Sequence, residues 1–374
     1  MRALAIYGPM ATDGQLLDPS VETAAIGGVS VRCGLREVDP PPFDGAAPES
    51  ARQVLVRVRA FSCNYRDKAL ILRAATRAPA GAFYVIGSEF VAEVAGAGAG
   101  VTRFRVGDRV IGDNCWPGPP GAERRGGIPT NHASRERLVL CEDKLTGVPP
   151  SMPDPVAAAF SVGAQTAYSM IERLGAGRGT SVLVTAARSN TSLFAIRALG
   201  ARGAKVYATT TSEWSERERA AFPVEMLFRV DPGVTDFREH GALKAVAAEL
   251  GGFECVFDPF FDLHLRKVLP IMAFGGRYAT CGLYDQYLSL TASPFPGPRP
   301  DYVEALQIAL VRNVQLIGNC LGRTGHLERA IADYAAGALP VVVDSVFTGT
   351  SAAAFLERTY NARDRFGKVV FAYD

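Results

Sequence analysis

The sequence predicts an α/β chain of two domains, one compact and β-rich, the other a doubly wound parallel sheet. Three observations carry the prediction. The length of 374 residues exceeds that of a usual single domain. Short β-type runs broken by Gly and Pro fill the chain to about residue 150, and from about residue 155 apolar strands alternate with helical periods. Residues 181–212, SVLVTAARSNTSLFAIRALGARGAKVYATTTS, read as strand, tight turn, helix and strand, the order of a dinucleotide-binding βαβ unit.

The elements follow in chain order. The start, MRALAIYGPMATDG, holds one Arg and a very short apolar run, so it reads as a first strand and export is not expected. Val54, Val56 and Val58 alternate with Leu55, Arg57 and Arg59, the pattern of a strand with one buried face. In EFVAEVAGAGAGVTRFRVGDRVIG two strands flank small-residue turns, with a tight turn at Gly107-Asp108. Residues 113–131 make a long Gly/Pro loop of the kind used for lids and lobes. VAAAFSVGAQTAYSMIERLG reads as helical with an interruption near Gly163, and SVLVT as a buried strand. In the helix that follows, Leu193, Ile196 and Leu199 recur at helical spacing to pack on a sheet, while Arg197 and Arg202 face water. KVYATT, MLFRV, ECVFD, GRYATC and VQLIG supply further strands, separated by helices such as 241–250 and 263–272. The tail brings two helices and closing strands, and its GKVVF is expected to return to the β domain. The first domain is then discontinuous, 1–162 with 321–374, around a nucleotide-binding domain at 163–320.

No glycine occupies the turn of the βαβ unit. The usual fingerprint, G-x-G-x-x-G, gives room for the turn, the pyrophosphate and helix packing; here those places hold Ala187, Ser189 and Ser192. Ala and Ser add only one or two heavy atoms, and N–H groups at the helix start stay available to an anion. Ser189, Asn190, Thr191 and Ser192 also bring hydroxyl and amide donors suited to phosphate. The plainer reading is that Ser189 or Asn190 caps the helix.

Forty Lys plus Arg against thirty-eight Asp plus Glu leave +2, so no overall field favours nucleic acid or an anionic membrane. No apolar stretch approaches the length of a membrane span. Seven cysteines, scattered and without C-x-x-C, fit a reducing cytoplasm. Of the four histidines, 132, 240, 264 and 326, none stands at zinc-ligand spacing from another His or Cys.

AFSCNYRD, GSEFVAEVAGAGAGVTRFRVGDRV, VGAQTAY, the βαβ unit, FDPFFD followed by GGRYATCG, and the closing GKVVF occur in an order that resembles the medium-chain dehydrogenase/reductase family over nearly the full length. The resemblance implies a GroES-like catalytic domain joined to a Rossmann domain, with the active site in the cleft between them. Set beside the zinc alcohol dehydrogenases of that family, the first Cys ligand falls at Asn64, with Cys63 one place early. The His ligand falls at Ser88, before Glu89, and the second Cys at Val162; the four-Cys structural lobe corresponds to the 113–131 loop, which has only Cys115. Ser, Asn and Val cannot replace thiolates and an imidazole around zinc, so no metal is expected.

The NYRD string is shared with the zinc-free branch, the quinone oxidoreductases and enoyl reductases. That likeness implies NADPH-dependent reduction of an activated C=C bond, with Asn64 and Tyr65 projecting into the cleft and Asp67 anchoring the turn. Tyr65 reads either as a hydrogen-bond donor or proton source, or as a packing aromatic. NAD-preferring units commonly carry an acid at the end of the second strand, where this chain has Thr209-Thr210-Thr211-Ser212. Hydroxyls of Thr210, Thr211 and Ser212, with Arg217 or Arg219, suit the 2′-phosphate of NADPH; the plainer reading is a polar loop with a cap at Ser212. The resemblance also implies that Thr166 touches the nicotinamide, that Gly282 and Gly318 line its pocket, and that Lys368 approaches the pyrophosphate, unless Lys368 is a solvated terminal lysine. His132 and Arg124-Arg125 read as recognition groups for a carboxylate, thioester carrier or phosphate of the substrate, or as a solvated loop face.

The expected function is thus an NADPH-dependent, zinc-independent oxidoreductase acting on a small-molecule enone, quinone or enoyl-type substrate. The alternatives are a carbonyl or alcohol oxidoreductase of the same family, and a binding or structural member of the fold whose cofactor affinity has fallen. The resemblance further implies a homodimer paired through an edge strand of the nucleotide domain, and the expected location is the cytoplasm.

Overall fold

The computed structural model describes residues 1–9, 21–117, 130–284 and 302–373. Arg124 and Arg125 lie outside the described residues. By internal contacts the chain forms two units, Met1–Val162 with Arg323–Ile331 and Val341–Asp374, and Gly163–Gly322 with Ala332–Pro340.

In the first unit β1 (Arg2–Tyr7), β2 (Glu22–Ile26), β3 (Val29–Glu37) and β5 (Phe83–Val85) form a sheet in the order β2-β3-β1-β5. A larger sheet is built on β4 (Gln53–Ser62) and β6 (Glu89–Ala97), and adds β7 (Arg109–Gly112), β8 (Arg137–Cys141) and β9 (Leu145–Gly147). The alternation of β4 sends Val54, Val56 and Val58 into the core. Arg57 and Arg59 face the other way and reach Glu93 of the neighbouring β6 at 3.3 and 3.0 Å. Helix α1 (Tyr65–Arg77) follows β4 directly, and α2 (Asp154–Ala157) is a single short turn.

The second unit runs through α3 (Ser161–Leu174), which begins at the junction, then β10 (Ser181–Val184), α4 (Asn190–Ala201), β11 (Lys205–Thr210), α5 (Glu216–Ala221), β12 (Met226–Arg229) and α6 (Gly241–Glu249). It continues through β13 (Phe253–Asp258), α7 (Phe261–Val268), β14 (Met272–Thr280), α8 (Tyr302–Val311) and β15 (Gln315–Gly318). The strands form one parallel sheet in the order β12-β11-β10-β13-β14-β15. This is the doubly wound order, and the direction of winding reverses between β10 and β13. Such a sheet buries its strand interiors under crossover helices, as Leu183, Phe253, Val256 and Tyr278 show. After helix α9 (Thr324–Ala335), β16 (Val343–Phe347), α10 (Ala352–Tyr360) and β17 (Lys368–Ala372) rejoin the first unit, where β17 pairs with β4.

The helical break expected near Gly163 lies earlier, between α2 and α3, and Gly163 sits inside α3. Its lack of a side chain serves packing instead. A Cβ there would come within 2.9 Å of the Asn190 side-chain nitrogen and 3.0 Å of the Phe194 ring, so α3 lies close against the start of α4.

Candidate active site

In an open parallel sheet, ligands bind beyond the carboxyl ends of the strands at the reversal point, which here lies at the ends of β10 and β13. The chain leaves β10 at Thr185 and enters α4 after Ser189. Ser189 caps the helix, its Oγ accepting from the Ser192 amide at 3.3 Å and donating to Ser192 Oγ at 2.9 Å. Ser192 Oγ in turn donates to the Thr185 carbonyl at 2.8 Å, and Ser192 is fully buried. The serine hydroxyls expected to meet phosphate are therefore spent inside the turn. Ala187 is also fully buried, its amide donating to the Thr209 carbonyl at 3.0 Å. The left-handed residue of the turn is Ala186, with φ of 47°, a place the fingerprint comparison had not singled out. Asn190 and Thr191 open α4, where backbone N–H groups gather.

At the end of β11 the Thr210 hydroxyl closes a local turn, donating to the Ser212 carbonyl at 2.9 Å and accepting from the Ser212 amide at 3.3 Å. Thr211 and Arg217 are exposed. A residue the sequence reading did not weigh, Arg188, joins the fingerprint turn to this loop. Its guanidinium donates to the Glu213 carbonyl at 2.8 Å and to Glu218 Oε1 at 3.1 Å. The signal was available in the sequence, because an Arg inside a dinucleotide turn stands close to the ribose end of the second strand.

On the other half of the sheet, Thr166 is buried on α3 one turn before Ser169. Ser169 Oγ donates to Asn319 Oδ1 at 2.8 Å, beside Gly318 at the end of β15, so Thr166 and Gly318 lie toward the same end of the sheet. Arg173 donates to the Gly318 carbonyl. A Cβ on Gly318 would meet nothing within 4 Å. Gly282, two residues beyond β14, accepts at its carbonyl from the Phe261 amide at 3.1 Å. The hydroxyl of Thr280, the last residue of β14, is buried and has no hydrogen-bond partner among the described residues.

In the first unit a polar cluster forms where β4, α1, β6 and β17 meet. The fully buried Glu89 carboxylate accepts from Ser62 Oγ at 3.0 Å, Asn64 Nδ2 at 3.1 Å, Lys368 Nζ at 2.6 Å and the Val162 amide at 2.9 Å. Asn64 Oδ1 accepts from Lys368 as well, at 2.5 Å, and Asn64 Nδ2 donates to Ser88 Oγ at 2.8 Å. Two expectations change here. Lys368, expected to approach a pyrophosphate or to be solvated, is buried with its ammonium committed to Glu89 and Asn64. Asn64, expected to project into the cleft, has both ends of its side-chain amide engaged inside the cluster. Asp67 anchors the turn as expected, accepting from the Asn64 amide at 2.8 Å and Ser88 Oγ at 2.5 Å. Burial pushes its carboxyl upward despite those bonds.

Tyr65 opens α1 and its ring packs edge-on against Tyr360 at 6.0 Å, with Lys68 Nζ 5.8 Å from the ring centre. His132 occupies a left-handed turn position, φ 59°, with Nδ1 3.2 Å from the Val85 carbonyl. Burial, with help from Arg135, lowers its pKa, which suits a neutral turn anchor more than an acid. The positions that would hold catalytic zinc do not fit it: Asn64 and Ser88 are bonded to each other, and Val162 offers only hydrocarbon. Burial drives the neighbouring Cys63 thiol well above its ordinary range. Among the described residues no group of three His, Cys, Asp or Glu could hold a metal ion.

Residues 50–150 match the alcohol dehydrogenase GroES-like domain, and a doubly wound dinucleotide sheet follows them. The chain has the fold of the medium-chain dehydrogenases/reductases, a GroES-like domain followed by a doubly wound sheet. A mycocerosic acid synthase-like polyketide synthase of Mycolicibacterium smegmatis is 29% identical over 300 residues, which are 77% of this chain and 13% of that protein; the chain thus spans only a small part of that relative. The acryloyl-coenzyme A reductase of Metallosphaera sedula is 27% identical over 327 residues, 83% of this chain and 88% of its own. The structure of an NAD-dependent alcohol dehydrogenase superposes with a TM-score of 0.73 at 24% identity, covering 100% of this chain and 99% of that one. The fold is one that holds nicotinamide dinucleotides at the carboxyl ends of its strands, and the start of α4 lies at that end of the sheet. The α4 N-terminus follows a turn of small, tightly packed residues, and the backbone N–H groups of its first turn suit an anion.

Proposed function

We propose that this chain is a medium-chain dehydrogenase/reductase and a zinc-independent, NADPH-dependent reductase of an activated C=C bond, acting on enone, quinone or enoyl-type substrates, with an α,β-unsaturated acyl thioester preferred among them. The observation that carries the proposal is the polar cluster around Glu89: where a zinc enzyme needs thiolate and imidazole, this chain has Asn64, Ser88 and Val162. With no Lewis acid at that place, the substrate must delocalise its own developing charge, and conjugation to a carbonyl does so. NADPH, when bound, supplies the hydride for the β carbon. The acyl thioester preference rests on the named activity of the Metallosphaera sedula relative.

The protein's part is to bind, orient and donate. The α4 N-terminus receives the pyrophosphate through Asn190 and Thr191 amides, with Ala187, Ser189 and Ser192 shaping the turn. Arg188, with Thr211, Ser212 and Arg217, takes the 2′-phosphate; Thr210 shapes that loop. Thr166, Gly282 and Gly318 frame the nicotinamide. Tyr65 donates a hydrogen bond to the oxygen of the developing enolate and the α carbon takes its proton from solvent, which completes the saturated product, while Asn64, held by Lys368, fixes the start of α1. Tyr65→Phe keeps the ring contact with Tyr360 and removes the donor, so kcat is expected to fall about 100-fold with the KM for NADPH unchanged. An unchanged kcat would leave Tyr65 a packing aromatic.

The proposed assembly is a homodimer through β15, whose Leu316 is exposed, as are Leu306, Leu310 and Val311 of the neighbouring α8. Sedimentation of a single copy at micromolar concentration would remove that part of the proposal. A cytoplasmic location accords with the cysteine pattern, and among the described residues no helix is long and apolar enough to cross a membrane.

A further inference from the structure

FDPFFD, residues 257–262, is part of the family likeness, and its Phe261 amide meets the Gly282 carbonyl. Asp258, the last residue of β13, is fully buried and gathers donors from four segments. Its Oδ1 accepts from Thr185 Oγ1 at 2.6 Å, from the Phe260 amide at 2.9 Å, and faces His264 Nδ1 at 2.8 Å. Its Oδ2 accepts from the Tyr278 hydroxyl on β14. Only a carboxylate accepts from all these partners at once.

The knot continues outward into the two loops beyond β13 and β14. Just past Phe260, the Phe261 amide donates to the Gly282 carbonyl at 3.1 Å, and Asp262 Oδ1 accepts from the Tyr284 amide at 2.8 Å. The Phe260 and Tyr284 rings meet edge-on at 5.7 Å. One carboxylate therefore sets the course of the loop after β13, and that loop is laced to the one carrying Gly282. The adenosine half of the sheet does not depend on it in the same way. The backbone of Thr185 is held separately, its amide by the Phe257 carbonyl at 3.0 Å and its carbonyl by Ser192 Oγ at 2.8 Å.

We propose that Asp258 is a positioning residue for the nicotinamide half of the cofactor site, fixing through Phe260, His264 and Tyr278 the paired loops that carry Gly282. The inference rests on the NADPH reading above and deepens it. In a doubly wound sheet the two mononucleotide halves are served by strands on opposite sides of the reversal point, and the loops Asp258 sets belong to β13 and β14.

The test compares two ligands that share the adenosine end. Adenosine 2′,5′-bisphosphate probes that end alone, whereas NADPH needs both. Asp258→Asn is expected to weaken NADPH about tenfold or more, because small displacements of a preorganised site are costly, and to leave the bisphosphate within about twofold. Tyr278→Phe, which removes one donor and keeps the ring, is the variant to read if Asp258→Asn does not fold; the same split is expected at smaller size. Equal weakening of both ligands would make the knot a general support of the fold, and no change in either would make it inert; each overturns the proposal. A wild-type chain that binds neither ligand would overturn the NADPH reading itself, and so is distinct from a failure of the Asp258 assignment.

Discussion

Lys368 shows how one residue reads differently in sequence and in space. As part of GKVVF near the chain's end it suggests a solvated lysine or a phosphate contact, yet its ammonium is buried against Glu89 and Asn64. A buried ion pair adds little beyond a well-packed apolar substitute, but losing one partner strands the other charge, at a cost of about 3–5 kcal/mol. Lys368→Met is expected to lower the unfolding free energy by that order, and Lys368→Met with Glu89→Gln to recover part of the loss. Urea unfolding of the two variants checks this, and a double variant no more stable than the single one would contradict the pairing. The partners were invisible to sequence reasoning because hundreds of residues separate them and no local period links them. Val54, Val56 and Val58 were legible for the opposite reason, since a two-residue period is local.

At the scale of the element, the strand, turn and helix of the βαβ unit followed from apolar runs and a capping serine, and the absence of glycine was evident too. What each small residue does was not. The Ser189 and Ser192 hydroxyls are bonded within the turn, so Ser192→Ala is expected to cost about 1 kcal/mol of stability while leaving the affinity for NADPH unchanged. Thermal unfolding together with a cofactor titration separates the two effects, and a loss of affinity without a loss of stability would return Ser192 to the phosphate. Arg188 behaves oppositely, because its guanidinium lies between the turn and the loop after β11. Arg188→Ala is expected to weaken NADPH about tenfold or more, the size of a lost charge-assisted contact, with NADH unaffected. Equal losses for both nucleotides would assign the 2′-phosphate elsewhere. The shifted helix break near Gly163 has a comparable cause, since a glycine that suggests an interruption in sequence is here required by the close approach of α3 to Asn190 and Phe194.

At the scale of the whole molecule, the fold class was readable because the change from broken β runs to alternating strands and helices extends over the chain. Family resemblance then supplied the metal positions, and in the structure the Asn64 and Ser88 side chains found there are engaged with each other and with Glu89 and Asp67. That arrangement makes the choice of electrophile the central claim. The most direct measurement is steady-state NADPH oxidation by the purified, metal-stripped protein, with an α,β-unsaturated acyl thioester and an enone set against the matching saturated aldehyde and ketone. Turnover of the conjugated substrates is expected, with saturated product and no gain on adding zinc. Turnover of the simple carbonyl compounds alone, or activity that appears only with zinc, would contradict the claim.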